Sequence, residues 1–184
     1  VAEDSFILAM NVWYLSSKKP KLNLRKMIKM SLIFELCEVY AKDRTPYDHL
    51  ISKSKGSQRE VFASWPRFRK EEKEKMFEKG YREEKNALQR LLGNLPDPLR
   101  KEVILLWNDC KLQLSPEGRF VHQVYWLTML FQALKYWEEY ESFPIDAWIE
   151  QMSEFIYDKA ALELLDVFYK KFFNKGIEKL KFWS

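Results

Sequence analysis

Apolar residues recur three and four positions apart along most of this chain. Phe6, Ala9, Met10 and Trp13 share one face; Met27, Met30, Ser31, Phe34 and Cys37 share another, with Ile28, Leu32 and Leu36 beside them. That spacing is the period of a helix with one buried side. It predicts helices over 5–16 and 24–40, the second capped by Asn23, whose side chain can accept from a first-turn amide. Residues 41–68 contain Pro46, Gly56 and Pro66 and read as an irregular connection with short helical turns. A charged helix follows over 70–92, ended by Gly93-Asn94 in the manner of a glycine C-cap. Pro96 and Pro98 open the next, which ends near Leu112. Ser115-Pro116-Glu117 combines a capping serine, a proline at the first helical position and an acid at the positive end, and starts a helix to about Glu141. Pro144 breaks the chain, Asp146 and Asp158 are placed to cap helices over 147–157 and 159–173, and the basic, aromatic tail from Asn174 to Ser184 reads as a frayed last helix.

Five glycines in 184 residues agree with an all-α fold, since helix interiors exclude glycine and sheet-rich folds need turn glycines. No repeat, low-complexity stretch or linker divides the chain, so residues 1–184 read as one domain long enough to bury a core. With 47% hydrophobic and 32% charged residues it is neither a disordered chain nor a membrane protein. The 16% aromatic share is mostly core, yet it also favours an apolar pocket or an adhesive surface. The net charge of +4 is spread through interleaved runs such as Lys70-Glu71-Glu72-Lys73-Glu74-Lys75, a solvated helix face rather than a nucleic-acid stripe. The most apolar run, Phe6 to Leu15, is too short for a membrane span and contains Asn11, and no signal peptide is visible. Cys37 and Cys110 lack metal-ligand spacing and read as two buried thiols in a reducing compartment, which places the protein in the cytoplasm. The chain begins at Val1, without Met and inside a helical pattern, so it reads as trimmed or rebuilt.

Three separated segments carry a family resemblance. They are Val1-Ala2-Glu3-Asp4-Ser5-Phe6; the run from Ser31 to Asp43, with Phe34-Glu35-Leu36-Cys37-Glu38 at its centre, followed by Thr45-Pro46-Tyr47-Asp48; and Ser115 to Leu127, ending in Val124-Tyr125-Trp126-Leu127. In order and spacing they resemble the HD-domain phosphohydrolases, in the branch of 5′-deoxynucleotidases, which reads V-A-E-H-S, then H-D-x-x-E and G-D, then V-D-K-L. The resemblance covers nearly the whole chain; the family's phosphate-clamping segment, upstream of V-A-E-H, is missing here. It implies a single-domain HD-type helical bundle. In that family two histidines and two aspartates hold one divalent metal such as Mn, Co or Mg, which polarises a phosphate and positions the attacking water on a nucleoside monophosphate.

Carried over residue by residue, the resemblance exposes a departure. The first metal histidine is Asp4, the His-Asp pair is Phe34 and Glu35, and the late Asp-Lys is Tyr125-Trp126. Only Glu38, an acid/base candidate, and Asp43, a sugar contact, match the family's functional positions. Phe34 cannot ligate a metal and a neutral Tyr125 is a poor ligand for a hard cation, so no metal or other cofactor is expected, with Asp4 and Glu35 the weak candidates that remain. If Asp4, Glu35 and Glu38 cluster, their repulsion raises at least one pKa. Phe34 and Tyr125 either plug the old cavity or line a new apolar pocket, with Trp13 and Trp126 as its wall. Tyr125 and Trp126 are helical neighbours pointing about 100° apart, so Tyr125 takes the inward place and Trp126 the rim or a place against a neighbouring helix. His122, one turn before Tyr125, is either an ordinary helix histidine or a base within its reach, and His49 has no recognisable partner.

Three functions follow. The first is a degenerate or redesigned HD scaffold, a pseudoenzyme or an engineered variant, whose old cavity binds a small aromatic or nucleoside-like ligand. The second is a residual metal-dependent phosphohydrolase. The third is a structural or interaction protein with a filled pocket, homodimeric as its relatives often are. A membrane or nucleic-acid partner is not expected.

Overall fold

The computed structural model describes residues 2–41, 61, 68–140 and 145–173. The described residues form α1 (Ala2–Ser16), α2 (Leu24–Ile33), a 3-10 turn (Leu36–Val39), α3 (Lys70–Leu91), α4 (Asp97–Lys111), α5 (Pro116–Glu139), α6 (Ile145–Ser153) and α7 (Lys159–Phe173). Asp43, the irregular connection, the break at Pro144, and the tail from 174 lie outside them. No strand occurs among the described residues, as the glycine-poor composition predicts.

Helix α5 is the axis of the bundle, packed against α1, α2, α4, α6 and α7. Its middle, residues 120–131, is buried or half-buried at every position, and Val121, Val124, Leu127 and Leu130 are wholly buried. Such a helix cannot face water and must be enclosed by others. Its start is the one the sequence announces: Ser115 Oγ accepts from the Gly118 amide at 3.0 Å, with Pro116 in the first turn. Helix α1 seals one side through Leu8, Val12 and Leu15, and Asn11 Nδ2 donates to Thr128 Oγ1 on α5 at 2.9 Å. Asn23 caps α2, accepting from the Lys26 amide at 3.1 Å. The Lys26 ammonium pairs with Asp109 of α4 at 2.7 Å and donates to Ser115 Oγ at 2.9 Å, tying three helix ends together. A second, smaller core forms where α3 packs on the 3-10 turn and α4, around Cys37, Leu88, Leu92 and Trp107.

Three boundaries differ from expectation. Helix α2 stops at Ile33, not at 40. The Phe34 carbonyl accepts instead from Trp107 Nε1 of α4 at 3.1 Å, and the Glu38 amide turns back to the Glu35 carbonyl. With the Phe34 carbonyl turned towards Trp107 and the Glu38 amide bonded at i−3, the chain tightens into a 3-10 turn. Helix α3 ends without a left-handed glycine: no described glycine has positive φ, and Gly93 donates to the Arg90 carbonyl in an ordinary conformation. The left-handed residue is Gln113, at φ 55°, in the connection between α4 and α5. Helix α6 spans Ile145–Ser153, so Asp146 lies within it rather than capping it, and it ends before 157. The reason for the early end is Gln123, whose Oε1 accepts from the amides of Tyr157 at 2.8 Å and Asp158 at 2.6 Å and turns the chain into α7. Asp158 then caps α7 as predicted, accepting from the Ala160 amide at 2.9 Å.

Candidate functional site

The end of α2 carries Phe34 and Glu35 into the angle between α1, α4 and α5. Phe34 is 1% exposed. Its ring meets Tyr125 at 4.5 Å between centroids and His122 edge-on at 6.1 Å, both from α5. On a third side the Lys111 ammonium, from the last turn of α4, lies 4.4 Å from the ring centre and pairs with Glu84 of α3 at 2.6 Å. A ring enclosed this way fills a cavity rather than lining one. Trp126 turns from Tyr125 onto Phe155, stacking at 4.6 Å and 12°, and its buried Nε1 finds no hydrogen-bond partner among the described residues. Trp13 stays on the outer face of α1, 59% exposed, and so corrects the expectation of a pocket wall.

Asp4 and Glu38 lie near enough for their charges to act on Glu35. Glu35 is buried, and its Oε2 accepts no hydrogen bond from the described residues. Burial pushes its carboxyl up to about 7, and the negative charges of Glu38 and Asp4 push the same way, against the pull of Lys111. Burial, with Lys111 nearby, holds His122 down at about 4, so its imidazole is neutral at physiological pH. Burial also raises the Cys37 thiol to about 12, which makes it inert as a nucleophile. Asp43 lies outside the described residues, so its relation to the cluster is left aside.

Burial thus leaves Glu35 able to exchange a proton near neutrality, and the lining around it is aromatic. A hard divalent cation needs several oxygen donors around an open point. Here Phe34 occupies the centre and a lysine ammonium rests on its ring, so the described residues do not fit a metal. Among them, no three His, Cys, Asp or Glu side chains group closely enough to hold one. The sequence reading missed Lys111 and Glu84. A lysine in a last helical turn is ordinary dipole complementation, so nothing in its local pattern marks a contact with Phe34.

Because Phe34 is packed, Phe34→His is expected to cost about 1–3 kcal/mol through lost apolar contact and a buried imidazole. The denaturant midpoint reads this directly; an unchanged midpoint would mean the ring plugs nothing.

In this all-helical bundle the described parts of the three motif segments lie on α1, on the end of α2 with its 3-10 turn, and on α5, and both α1 and α2 pack on α5. The family model described as "HD domain" matches residues 1–165, and the chain belongs to that family. It is similar to 5′-deoxynucleotidase HDDC2 of Xenopus laevis, 30% identical over 135 residues, which is 73% of this chain and 54% of that protein. The Danio rerio protein of the same name gives 30% over 135 residues, with the same coverage, and the human one 28% over 127 residues, 69% of this chain and 50% of its own length. The chain therefore spans about half the length of the curated relatives it matches. No described helix is long and apolar enough to cross a membrane.

Proposed function

We propose that this chain is an HD-domain scaffold in which the metal-dependent hydrolytic centre has been replaced by a packed aromatic cluster, leaving a binding or structural role. The observation that carries this reading is Phe34: 1% exposed, under the Lys111 ammonium and against Tyr125, at the position where the family places a metal-binding histidine. The 5′-deoxynucleotidase activity named for the relatives needs an exchangeable cation at that point. A fixed ammonium supplies positive charge there but offers no open coordination position for phosphate and water.

Elemental analysis of protein purified without chelator is expected to find no stoichiometric Mn, Co, Zn or Fe. Added Mn²⁺ or Co²⁺ is expected to release no phosphate from deoxynucleoside monophosphates above a metal-only control. About one bound metal per chain, or metal-dependent phosphate release abolished by Glu35→Ala, would overturn this reading in favour of a phosphohydrolase.

A further inference from the structure

A cleft of about 390 Å³ opens away from the Phe34 cluster, between the α1–α2 turn, the first turns of α5 and the α6–α7 turn. Neither Phe34, Glu35, Tyr125 nor Trp126 lines it. Its size is that of a small-molecule site. Its frame is fixed by Gln123, whose side-chain oxygen holds the amides of Tyr157 and Asp158 while its Nε2 donates to the Arg119 carbonyl at 3.4 Å. The walls are therefore set by hydrogen bonds between α5 and the turn, not by loose surface chains.

The charge around the cleft is unbalanced. Lys18, Lys19, Lys21 and Arg119 line it, with Asp158 as the one acid among the lining residues. Asp158 is taken by Lys19 at 2.5 Å, and Lys18 is taken by Glu163 outside the rim. Lys21 has no carboxylate partner among the described residues. Arg119 spends Nη1 on the carbonyls of Gln113 and Leu114, both at 3.3 Å, which orients the guanidinium and leaves its other nitrogens for a ligand. Two positive charges thus remain, one a guanidinium suited to two oxygens of a tetrahedral anion. Beneath them the lining is largely apolar: Leu22 and the edge of the buried Phe120, whose face the Lys19 ammonium covers at 5.8 Å, with Tyr157, 62% exposed, beside them.

The geometry points to this cleft as a binding site for a small organic phosphate monoester, its dianion between Lys21 and Arg119 and its flat body against Leu22 and Tyr157. The charge count selects a dianion over a simple carboxylate. The apolar floor selects an ester with an organic body over free phosphate, because an inorganic ion leaves the floor with no ligand contact. The proposal is independent of what occupies the HD cavity.

Isothermal titration of the whole chain with phenyl phosphate tests it. Saturable binding with Kd below about 1 mM is expected. Lys21→Glu and Arg119→Glu are each expected to weaken it by about tenfold or more, and inorganic phosphate to bind at least about fivefold more weakly. Lys21→Glu alters an exposed side chain with no carboxylate partner among the described residues, so its thermal midpoint should match the wild type and its loss of binding cannot be unfolding. Tyr125→Asp should bind as the wild type does. Any of these overturns the proposal: no saturation below about 1 mM; charge-reversal variants that bind normally; or inorganic phosphate binding as well as the ester. Binding lost in Tyr125→Asp but retained in Lys21→Glu places the ligand in the HD cavity and overturns it equally.

Discussion

Gly118→Ala, in the first turn of α5, is expected to destabilise the protein by about 2–3 kcal/mol, whereas Gly80→Ala, in the middle of α3, should stabilise it by roughly 0.5–1 kcal/mol. In a helix interior alanine is the better helix former by about 1 kcal/mol. What differs is the space. A Cβ on Gly80 meets nothing within 4 Å, but one on Gly118 would lie 2.5 Å from both the backbone carbonyl oxygen and Oδ1 of Asp109. A backbone carbonyl in the last turn of α4 cannot move without moving the helix. The carboxylate is equally committed, since it pairs with Lys26 and accepts from the Ser115 amide at 2.8 Å. The added methyl must therefore push α4 from α5 at the junction where α2 is also tied down. Urea midpoints of the two variants, measured side by side, should move in opposite directions. Equal shifts would mean that α4 and α5 do not approach as closely as described.

The second expectation concerns pH, and its sign follows from two buried groups shifted in opposite directions. The Glu35 carboxyl titrates at about 7 in the folded protein and at its ordinary 4.5 when unfolded. The folded state binds that proton more tightly, so stability falls as pH rises from about 4.5 to about 7 and is level beyond. His122 titrates at about 4 when folded against an ordinary 6.5. The folded state binds its proton more weakly, so stability rises between about 4 and 6.5. Each effect is worth roughly 3 kcal/mol at its limit, and over the shared window the two nearly cancel. Glu35→Gln is expected to expose the histidine: relative to wild type, its stability should climb by roughly 2–3 kcal/mol from pH 4 to pH 7. His122→Gln should show the reverse, a relative decline over the same range. Denaturant midpoints of wild type and both variants across that range decide the matter; parallel profiles would remove either group from the account.

The helical class and most element starts were legible because they rest on local chemistry. Ser115-Pro116, Asn23 and Asp158 satisfy amides within three residues of themselves, so a reader of the chain meets the cap and its target together. The ends were less legible because distant partners set them. Helix α2 stops where Trp107, 73 positions away, takes the Phe34 carbonyl, and α6 stops where Gln123 takes two amides 34 and 35 positions on. Asp146 misled for another reason: an acid in a first helical turn is favoured by the same positive field that favours a cap. At the candidate site, family motifs supplied Phe34, Glu35, Glu38 and Tyr125, and the acids' effect on one another could be anticipated from charge alone. Lys111 could not, because its meaning depends on a ring brought to it by folding.

That lysine changes how the interior charge can be controlled. A metal ion comes and goes with its free concentration, can be stripped by a chelator, and can be traded for another ion of different affinity. A cation carried on the polypeptide does none of these things. It is supplied at synthesis in fixed proportion to the chain, and only alkaline pH or a covalent change to the amine removes its charge. On the proposed reading, the resting state of this HD domain is set by its gene rather than by the composition of its surroundings.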